Sequence, residues 1–194
     1  MSVAPLSRLE LTRRLVGMLH DGEAVVAGIG NTNFDLAAVA GDRPQNFYMM
    51  GSMGLAASIG LGVALAQPDR RVIALEGDGS LLMNLGCLAT IAALAPPNLT
   101  VIVWVNGAYQ ITGNQPDATA DATDVVAVAR GAGIESAAWV RDDPDFARSI
   151  ERALQTPGPH LLAARIDQTP GTGRPERDPV VLKDRFMRGI GAKK

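Results

Sequence analysis

The feature that most constrains the fold is an apolar run ending in Gly-Asp-Gly, followed by a helix and a second apolar run that ends in asparagine. Residues 71–75 are mostly apolar and partly β-branched, which predicts a buried strand, and two flexible glycines end that strand around Asp78. Residues 99–105 predict a second buried strand, which ends at Asn106. Because a right-handed crossover returns the second strand in the direction of the first, Asp78 and Asn106 are expected at the same edge of a parallel sheet.

The segment between these two strands is predicted to be a single helix. Ser80 opens the helix, apolar residues recur at helical spacing up to Ala95, and Pro96 and Pro97 close it. In open α/β sheets, ligands bind beyond the carboxyl ends of the strands, and the free N–H groups of a helix N-terminus bind phosphate. One carboxylate, one carboxamide oxygen and one backbone carbonyl leave an octahedral Mg²⁺ room for two phosphate oxygens and a water. The unit therefore predicts a site for a magnesium diphosphate.

These residues also carry a resemblance to a known family. The Gly-Asp-Gly-Ser sequence at 77–80, with Asn106 placed 29 positions after the first of these glycines, resembles the cofactor motif of thiamine diphosphate-dependent enzymes. The resemblance implies that thiamine diphosphate and Mg²⁺ are the cofactors. It also implies that Asp78 and Asn106 are the side-chain ligands of the metal, and that the Ala108 carbonyl is the third protein ligand. The chain departs from the family in having Val105 before Asn106, where two consecutive asparagines are common, but the family's ligand is the second of the two.

A segment upstream resembles the part of these enzymes that passes beneath the cofactor. In Met-Gly-Ser-Met-Gly at 50–54, the resemblance implies that the Gly51 carbonyl accepts a hydrogen bond from the aminopyrimidine. It also implies that the Met53 side chain separates the two rings and gives the cofactor its bent shape, whereas core packing of Met53 is the alternative. The residues that the resemblance assigns to the cofactor are Gly51, Ser52, Met53, Gly77, Asp78, Gly79, Ser80, Asn106, Ala108, Tyr109, Gln110 and Ile111.

Further segments narrow the resemblance to the thiamine diphosphate-dependent decarboxylases of sulfopyruvate and phosphonopyruvate. Over roughly residues 6–190, the chain is similar to the β subunit of the first enzyme and to the C-terminal domain of the second. The segments that carry this similarity are 53–62, 68–72, 79–86, 112–116 and 178–186. The resemblance implies the decarboxylation of a small anionic 2-oxo acid, and it does not separate the two substrates.

The family also needs a glutamate that faces the pyrimidine ring and activates the cofactor, and it carries this residue on a separate pyrimidine-binding domain. Neither Glu23 nor Glu76 stands at a matching position, so no catalytic residue is assigned in this chain. The resemblance therefore implies a second polypeptide, a pyrimidine-domain α subunit. The expected assembly is an α2β2 or larger hetero-oligomer with the active site between unlike subunits.

Composition excludes several other classes of protein. At 194 residues, with a formal charge of −2 and a pI near 5.7, the chain fits one domain without the basic face of a nucleic-acid binder. Charged residues interrupt the apolar ones near the N-terminus, so neither a signal peptide nor a membrane span is expected. Cys87 is the single cysteine, which excludes an internal disulfide framework and favours a buried core residue in a cytoplasmic protein. His20 and His160 have no obvious catalytic partner.

Strands and helices alternate along the chain, which predicts a doubly wound α/β domain with a mainly parallel sheet and helices on both faces. Strands are predicted at 24–27, 71–75, 99–105, 136–140 and 159–166. Helices are predicted at 7–20, 34–40, 54–66, 80–95, 123–131 and 144–154, the fifth of them capped by Asp121 or Thr123.

Two less regular segments are predicted near and after the site. Residues 110–121 hold few side chains that could anchor them in a core, which predicts an irregular, mobile loop beside the metal. The functional interpretation is a lid or a phosphate-contacting loop, and a plain connection is the alternative. Residues 168–194 are predicted to form an extended surface tail and a final helix within the same single domain.

Two other functions stay open on the sequence alone. One is half of another thiamine diphosphate enzyme, such as an acetolactate synthase-like carboligase or an oxidoreductase. The other is a non-catalytic module that binds phosphate without turnover. Arg43, Arg174 and Arg177 are candidates for holding the substrate's anionic group, and solvated surface is the competing interpretation of each.

Overall fold

The computed structural model describes residues 4–193, which form one parallel sheet with helices around it. The strands are β1 (Ala24–Ala27), β2 (Asn46–Tyr48), β3 (Val72–Gly77), β4 (Leu99–Val105), β5 (Ala108–Tyr109), β6 (Gln115–Pro116), β7 (Ser136–Val140) and β8 (His160–Arg165). The helices are α1 (Arg8–Met18), α2 (Asn31–Ala40), α3 (Ala56–Ala66), α4 (Asp78–Leu82), α5 (Gly86–Leu94), α6 (Val125–Gly131), α7 (Asp143–Gln155) and α8 (Pro179–Gly189). The sheet has the order β2-β1-β3-β4-β8-β7, and β5 and β6 form a short antiparallel ribbon outside it. Within residues 4–193, no helix is long and apolar enough to cross a membrane.

Helices cover both faces of the sheet, which confirms the predicted doubly wound architecture. The strands β1 and β4 are buried along their whole length, as expected for parallel strands that are covered on both sides. One hydrophobic cluster joins the sheet to α3, α5 and α6, and a second joins it to α1, α2 and α7. Phe186 of α8 belongs to the first cluster and Leu182 to the second, since this helix packs beside β2 at the edge of the sheet.

The chain changes direction across the sheet between β1 and β3. After β1 it passes through α2 on one face, and after β3 it passes through α4 and α5 toward the other face. The connections diverge at such a point and leave a crevice beyond the carboxyl ends of the strands. The register pairs Gly77 of β3 with Trp104 of β4, so Asp78 and Asn106 lie one and two residues beyond a matched pair. Both polar residues therefore lie at the predicted edge of the sheet.

The helix predicted over 80–95 is two helices, α4 and α5, separated by residues 83–85. Between them, the Asn84 side chain donates hydrogen bonds to the Gly54 carbonyl at 3.0 Å and to Ser58 Oγ at 3.1 Å. Because Asn84 bonds to a distant segment, the chain turns at this point instead of continuing as a helix. Apolar periodicity does not reveal such a contact.

The N-terminus of α6 also differs from the prediction. Its cap is Asp124, and neither Asp121 nor Thr123 takes that role. The Asp124 Oδ1 atom accepts hydrogen bonds from the N–H groups of Val126 at 2.9 Å and Ala127 at 3.0 Å, which pairs two of the otherwise free donors of the first turn.

Near the crevice, the strand β2 was not predicted, and the helix α2 begins earlier than predicted. β2 is a three-residue strand that begins with the polar Asn46, which leaves too short an apolar run for recognition. α2 begins at Asn31, three residues before the predicted start, because Gly30 with a φ of 95° turns the chain sharply out of β1. This turn places the first residues of α2 beside the crevice.

Candidate cofactor and metal site

The three predicted metal ligands meet in one cleft at the carboxyl edge of the sheet. Asp78 is the first residue of α4, Asn106 follows β4 and Ala108 begins β5. Gly51 and Ser52 lie in a nearby turn but do not line the cleft. The other ten residues assigned to the cofactor do line it, namely Met53, Gly77, Asp78, Gly79, Ser80, Asn106, Ala108, Tyr109, Gln110 and Ile111.

The Asp78 carboxylate is buried and held in place by three donors. Its Oδ1 atom accepts from the Gly79 N–H at 2.9 Å, and its Oδ2 atom accepts from the Gly107 N–H and the Thr119 hydroxyl, both at 2.7 Å. Burial raises the pKa of Asp78 above its ordinary value, while the bonds from Thr119 and Gly107 act in the opposite direction. A bound cation would favour the ionised carboxylate and offset the cost of burying it.

A second buried carboxylate, Asp117, lies next to the first and was not predicted from the sequence. Its Oδ1 atom accepts from the Thr119 hydroxyl at 2.6 Å and from the Thr119 N–H at 2.7 Å. The single hydroxyl proton of Thr119 serves either Asp117 or Asp78 at one time. The other oxygen of Asp117, Oδ2, is buried and has no hydrogen-bond partner in the part of the chain that the structure describes. The loop predicted to have few anchoring residues is therefore anchored by polar side chains, and a purely apolar criterion overlooks them.

The donor set fits Mg²⁺. The buried carboxylates of Asp78 and Asp117 share the one hydroxyl proton of Thr119, and within residues 4–193 Oδ2 of Asp117 has no donor. A cation beside Asp78 would therefore balance the charge of both carboxylates. Among residues 4–193, no group of three or more His, Cys, Asp or Glu side chains converges as a metal cluster, so the ligands of a thiolate- or imidazole-bound metal are missing. The oxygens of Asp78, Asn106 and Ala108 are the hard ligands that Mg²⁺ prefers when phosphate and water complete its shell.

The glycines of the motif differ in what they make room for. A Cβ atom at Gly79 would lie 2.5 Å from Cε1 of Tyr109 and 3.0 Å from Oδ2 of Asp117, so the Tyr109 ring packs directly on the backbone there. A Cβ atom at Gly77 would approach only the Ser80 side chain, at 4.0 Å, which leaves this side open to the cleft. Gly77 therefore leaves space in the cleft, whereas Gly79 allows the Tyr109 ring to pack on the backbone at the start of α4.

Met53 projects into the cleft from a strained turn. Ser52 and Gly54 on either side have φ values of 61° and 86°, and the Gly54 N–H donates to Ser80 Oγ at 2.7 Å. Met53 itself is half-buried, lines the cleft and belongs to neither hydrophobic cluster. This position favours the predicted role between the cofactor rings over ordinary core packing.

The buried Glu76 supports this region from behind the cleft. Its carboxylate accepts a short hydrogen bond from the Ser80 hydroxyl and a bond of 3.1 Å from the Ala57 N–H at the start of α3. Burial raises the pKa of Glu76 above its ordinary value. Because both oxygens are used inside the fold, Glu76 is a structural residue and does not replace the activating glutamate.

The histidines lie away from the cleft. His160 begins β8 at the opposite edge of the sheet, where its Nδ1 atom lies 2.7 Å from Ser136 Oγ, and burial lowers its pKa. His20 follows α1, and its N–H donates to the Glu23 carboxylate at 2.6 Å. Neither histidine reaches the predicted metal ligands.

Two further polar residues of the cleft are tied to the tail after β8. Arg8 is buried, with its Nε donating to Asp35 at 2.7 Å and its Nη2 donating to the Thr169 carbonyl at 2.6 Å. Asn31 donates to Gln110 Oε1 at 2.8 Å and accepts from the Gly171 N–H at 3.0 Å. Sequence reasoning missed Arg8 because its partner is 27 residues away and an arginine in a surface helix is usually exposed.

Comparison with known proteins defines the class to which this site belongs. A family profile described as "Thiamine pyrophosphate enzyme, C-terminal TPP binding domain" matches residues 28–164, a range that includes all the predicted metal ligands. The chain therefore belongs to the thiamine pyrophosphate enzymes, and the resemblance stated from its sequence is confirmed.

Individual proteins of known name are similar to this chain over most of its length. The sulfopyruvate decarboxylase subunit beta of Methanocaldococcus jannaschii is 39% identical over 184 residues, covering 94% of this chain and 96% of the relative. The phosphonopyruvate decarboxylase of Streptomyces viridochromogenes is 41% identical over 95% of this chain, which spans only 46% of that protein. Among solved structures, the thiamine diphosphate-dependent 4-hydroxybenzoylformate decarboxylase of Rhodococcus jostii RHA1 superposes with a TM-score of 0.72 at 25% identity. That alignment covers 87% of this chain and 34% of the larger protein.

Replacing Thr119 with valine is expected to lower the affinity of the site for Mg²⁺ about tenfold when thiamine diphosphate is present. Valine keeps the branched shape but removes the hydroxyl that orients Asp78 and separates it from Asp117. Thr119→Ser, which retains the hydroxyl, is the matched control. Mg²⁺ titrations by calorimetry of the enzyme assembled with its partner would measure the difference, and equal affinities of the two variants would contradict this role.

Cys87 is expected to resist alkylation in the folded protein. Burial raises the pKa of its thiol to about 11, so only about one thiol in a thousand is ionised at pH 8. Mass spectrometry should therefore show iodoacetamide labelling at pH 8 that is about 100-fold slower in the native protein than in denaturant. The native rate should rise with pH toward 11, because the thiolate fraction rises. Fast labelling at neutral pH would show that Cys87 is a reactive thiol.

Proposed function

We propose that this chain is the diphosphate- and Mg²⁺-binding subunit of a two-subunit, thiamine diphosphate-dependent decarboxylase. Its substrate is a small anionic 2-oxo acid, sulfopyruvate in the first place and phosphonopyruvate in the second. The observation that carries the proposal is the buried Asp78 beside Asn106 and Ala108 at the turning point of the sheet, in a chain about 40% identical to decarboxylase subunits. A cytoplasmic location, expected from the single cysteine, is part of the same proposal.

Five residues of the cleft have defined parts in this function. Asp78, Asn106 and the Ala108 carbonyl would hold Mg²⁺, which would neutralise the charge of a bound diphosphate. Met53 would orient the cofactor in the cleft, and Tyr109 packs over Gly79 at the start of α4. When bound, thiamine diphosphate takes up the electron pair left by the departing CO₂, and a proton replaces the carboxylate in the released aldehyde. The chain contributes binding, orientation and electrostatics.

A partner subunit supplies what this chain lacks. Glu76 is engaged inside the fold, and Asp78 is assigned to the metal, so no free carboxylate of the cleft is left to activate the cofactor. We infer that the activating glutamate belongs to a pyrimidine-domain α subunit and that the active site lies between unlike subunits, in an α2β2 or larger assembly. The name "subunit beta" of the Methanocaldococcus jannaschii relative supports this arrangement.

Reconstitution of the two subunits tests the proposal. The chain would be purified with its interacting partner, supplied with thiamine diphosphate and Mg²⁺, and given 3-sulfopyruvate, 3-phosphonopyruvate or pyruvate. The expected result is release of CO₂ and sulfoacetaldehyde by the complex and not by either subunit alone. Acetolactate as the main product would support the carboligase alternative instead. Cofactor binding without turnover of any 2-oxo acid would support the non-catalytic module.

A further inference from the structure

A second cavity, of about 310 Å³, adjoins the cofactor cleft, and of the residues predicted to bind the metal or the cofactor only Ile111 lines it. The two spaces share Ile29, Gly30 and Ile111 in their walls. The remaining wall comes from α2, from the residues around the end of β2 and from residues 174–177 of the tail. The volume lies at the lower end of the range for small-ligand sites, about 300–1,000 Å³. It therefore suits a compact molecule held beside the cofactor.

Two exposed arginines, Arg174 and Arg177, line this cavity together with Glu176. In the described part of the chain, the guanidinium groups of Arg174 and Arg177 have no hydrogen bond and no ion pair, whereas Arg8 and Arg43 are fully engaged. Glu176 stands between them, but its Oε1 atom accepts from the N–H groups of Arg177 at 2.6 Å and of Asp178 at 2.8 Å. The Glu176 carboxylate therefore bonds to its own turn and, among residues 4–193, forms no ion pair with either arginine, so both guanidinium groups remain available to an anion.

The tail that carries these arginines packs against α2 and Arg8, beside the cofactor cleft. The Gly171 N–H donates to Asn31, and the Thr169 carbonyl accepts from the buried Arg8. A Cβ atom at Gly173 would lie only 2.0 Å from the Phe34 carbonyl, so the tail backbone rests directly on α2. The tail predicted as a surface segment is therefore a wall of the cavity, and Arg174 follows its closest contact with the core.

The cavity also contains a buried polar atom that lacks a donor. Asn33 lines the cavity at 2% exposure, and its Nδ2 atom donates to the Met49 carbonyl. Its Oδ1 atom is buried and has no hydrogen-bond partner among the described residues, 4–193. Buried polar atoms are almost always paired with protein, water or ligand, so Asn33 offers one free acceptor to a donor in a cavity whose wall is otherwise mainly apolar.

We propose that Arg174 and Arg177 bind the sulfonate or phosphonate group of the 2-oxo acid in this cavity and so determine substrate specificity. Guanidinium groups form paired, charge-assisted hydrogen bonds with tetrahedral oxyanions, and an arginine without a counter-charge keeps that capacity. Ile111, common to both spaces, lies between the anionic group and the cofactor cleft. The inference rests on the proposed function, since it assigns the anionic end of that substrate.

The experiment uses the complex with its partner and the variants Arg174→Gln, Arg177→Gln and both together. Each single change is expected to raise KM for 3-sulfopyruvate about tenfold, and the double change more, with kcat for pyruvate and the affinity for thiamine diphosphate unchanged. Arg152→Gln is the control, because Arg152 is exposed on α7 near His160 at the opposite edge of the sheet. Binding of 3-sulfopropionate, which has the anion but no 2-oxo group, is measured by calorimetry on the same proteins.

The two readouts separate this inference from the proposed function. If wild type turns over no 2-oxo acid, the proposed function fails, while loss of 3-sulfopropionate binding in the double variant still supports the anion site. If wild type decarboxylates 3-sulfopyruvate and the double variant keeps the same KM and the same affinity for 3-sulfopropionate, the anion site is refuted. A wild-type complex that does not bind 3-sulfopropionate also refutes it.

Discussion

Replacing Asp78 with asparagine should weaken Mg²⁺-dependent binding of thiamine diphosphate about 100-fold or more, equivalent to about 2.8 kcal/mol. The substitution keeps the size of the side chain but removes the negative charge that a divalent cation needs in a site with one predicted carboxylate ligand. Calorimetric titration of the assembled enzyme with thiamine diphosphate, at fixed Mg²⁺ and again with a chelator, measures the effect.

Asp69→Asn is the matched control, because Asp69 is exposed in the turn between α3 and β3 and its side chain makes no hydrogen bond within residues 4–193. It should leave cofactor affinity unchanged. Wild-type cofactor affinity in Asp78→Asn would show that the metal is held elsewhere. The variant's circular dichroism spectrum should match wild type, which separates a lost ligand from a lost fold.

Replacing Glu76 with alanine should reduce the free energy of unfolding by about 3 kcal/mol. The loss has two causes. The Ala57 N–H and the Ser80 hydroxyl lose their buried acceptor, and a cavity opens behind the cleft. Glu76→Gln retains an acceptor of nearly the same shape and should lose about 1 kcal/mol or less.

Urea denaturation of the purified chain, followed by circular dichroism, compares the two Glu76 variants. A large difference between alanine and glutamine identifies the hydrogen bonds as the stabilising interaction. Equal, small losses would mean that the first turn of α3 finds other acceptors. The Ser80→Ala variant should fall between the two, since it removes one donor to Glu76 together with the bond from the Gly54 N–H.

The sequence predicted the part of the site that depends on local order along the chain. Asp78 and Asn106 each follow a buried strand, and one crossover rule brings both to the same edge. The break at Asn84 could not be predicted in this way, because it depends on contacts with Gly54 and Ser58, some 26 to 30 residues earlier. Apolar periodicity predicts which face of a helix or strand is buried, but it does not predict the polar groups of other segments that form hydrogen bonds with it.

The remaining omissions have the same physical origin. Asp117 and Thr119 lie in a stretch of polar residues that is typical of a loose loop, yet both are buried because Thr119 forms hydrogen bonds to Asp117 and to Asp78. The charge pattern of α1 suggests that Arg8 is exposed, yet its exposed fraction is only 3% and it forms an ion pair with Asp35. Buried polar networks follow no simple spacing, so only the folded structure reveals them.

The pairing of Gly77 with Trp104 also limits how this domain can change during evolution. Each residue along a parallel strand advances about 3.3 Å, so an insertion or deletion inside β3 or β4 would shift Asp78 against Asn106 by more than a metal–oxygen bond length. Such changes should be eliminated by selection, whereas the outer helices are free to vary in length. Homologous chains that retain the cofactor should therefore align without gaps in these two strands and accumulate their insertions elsewhere.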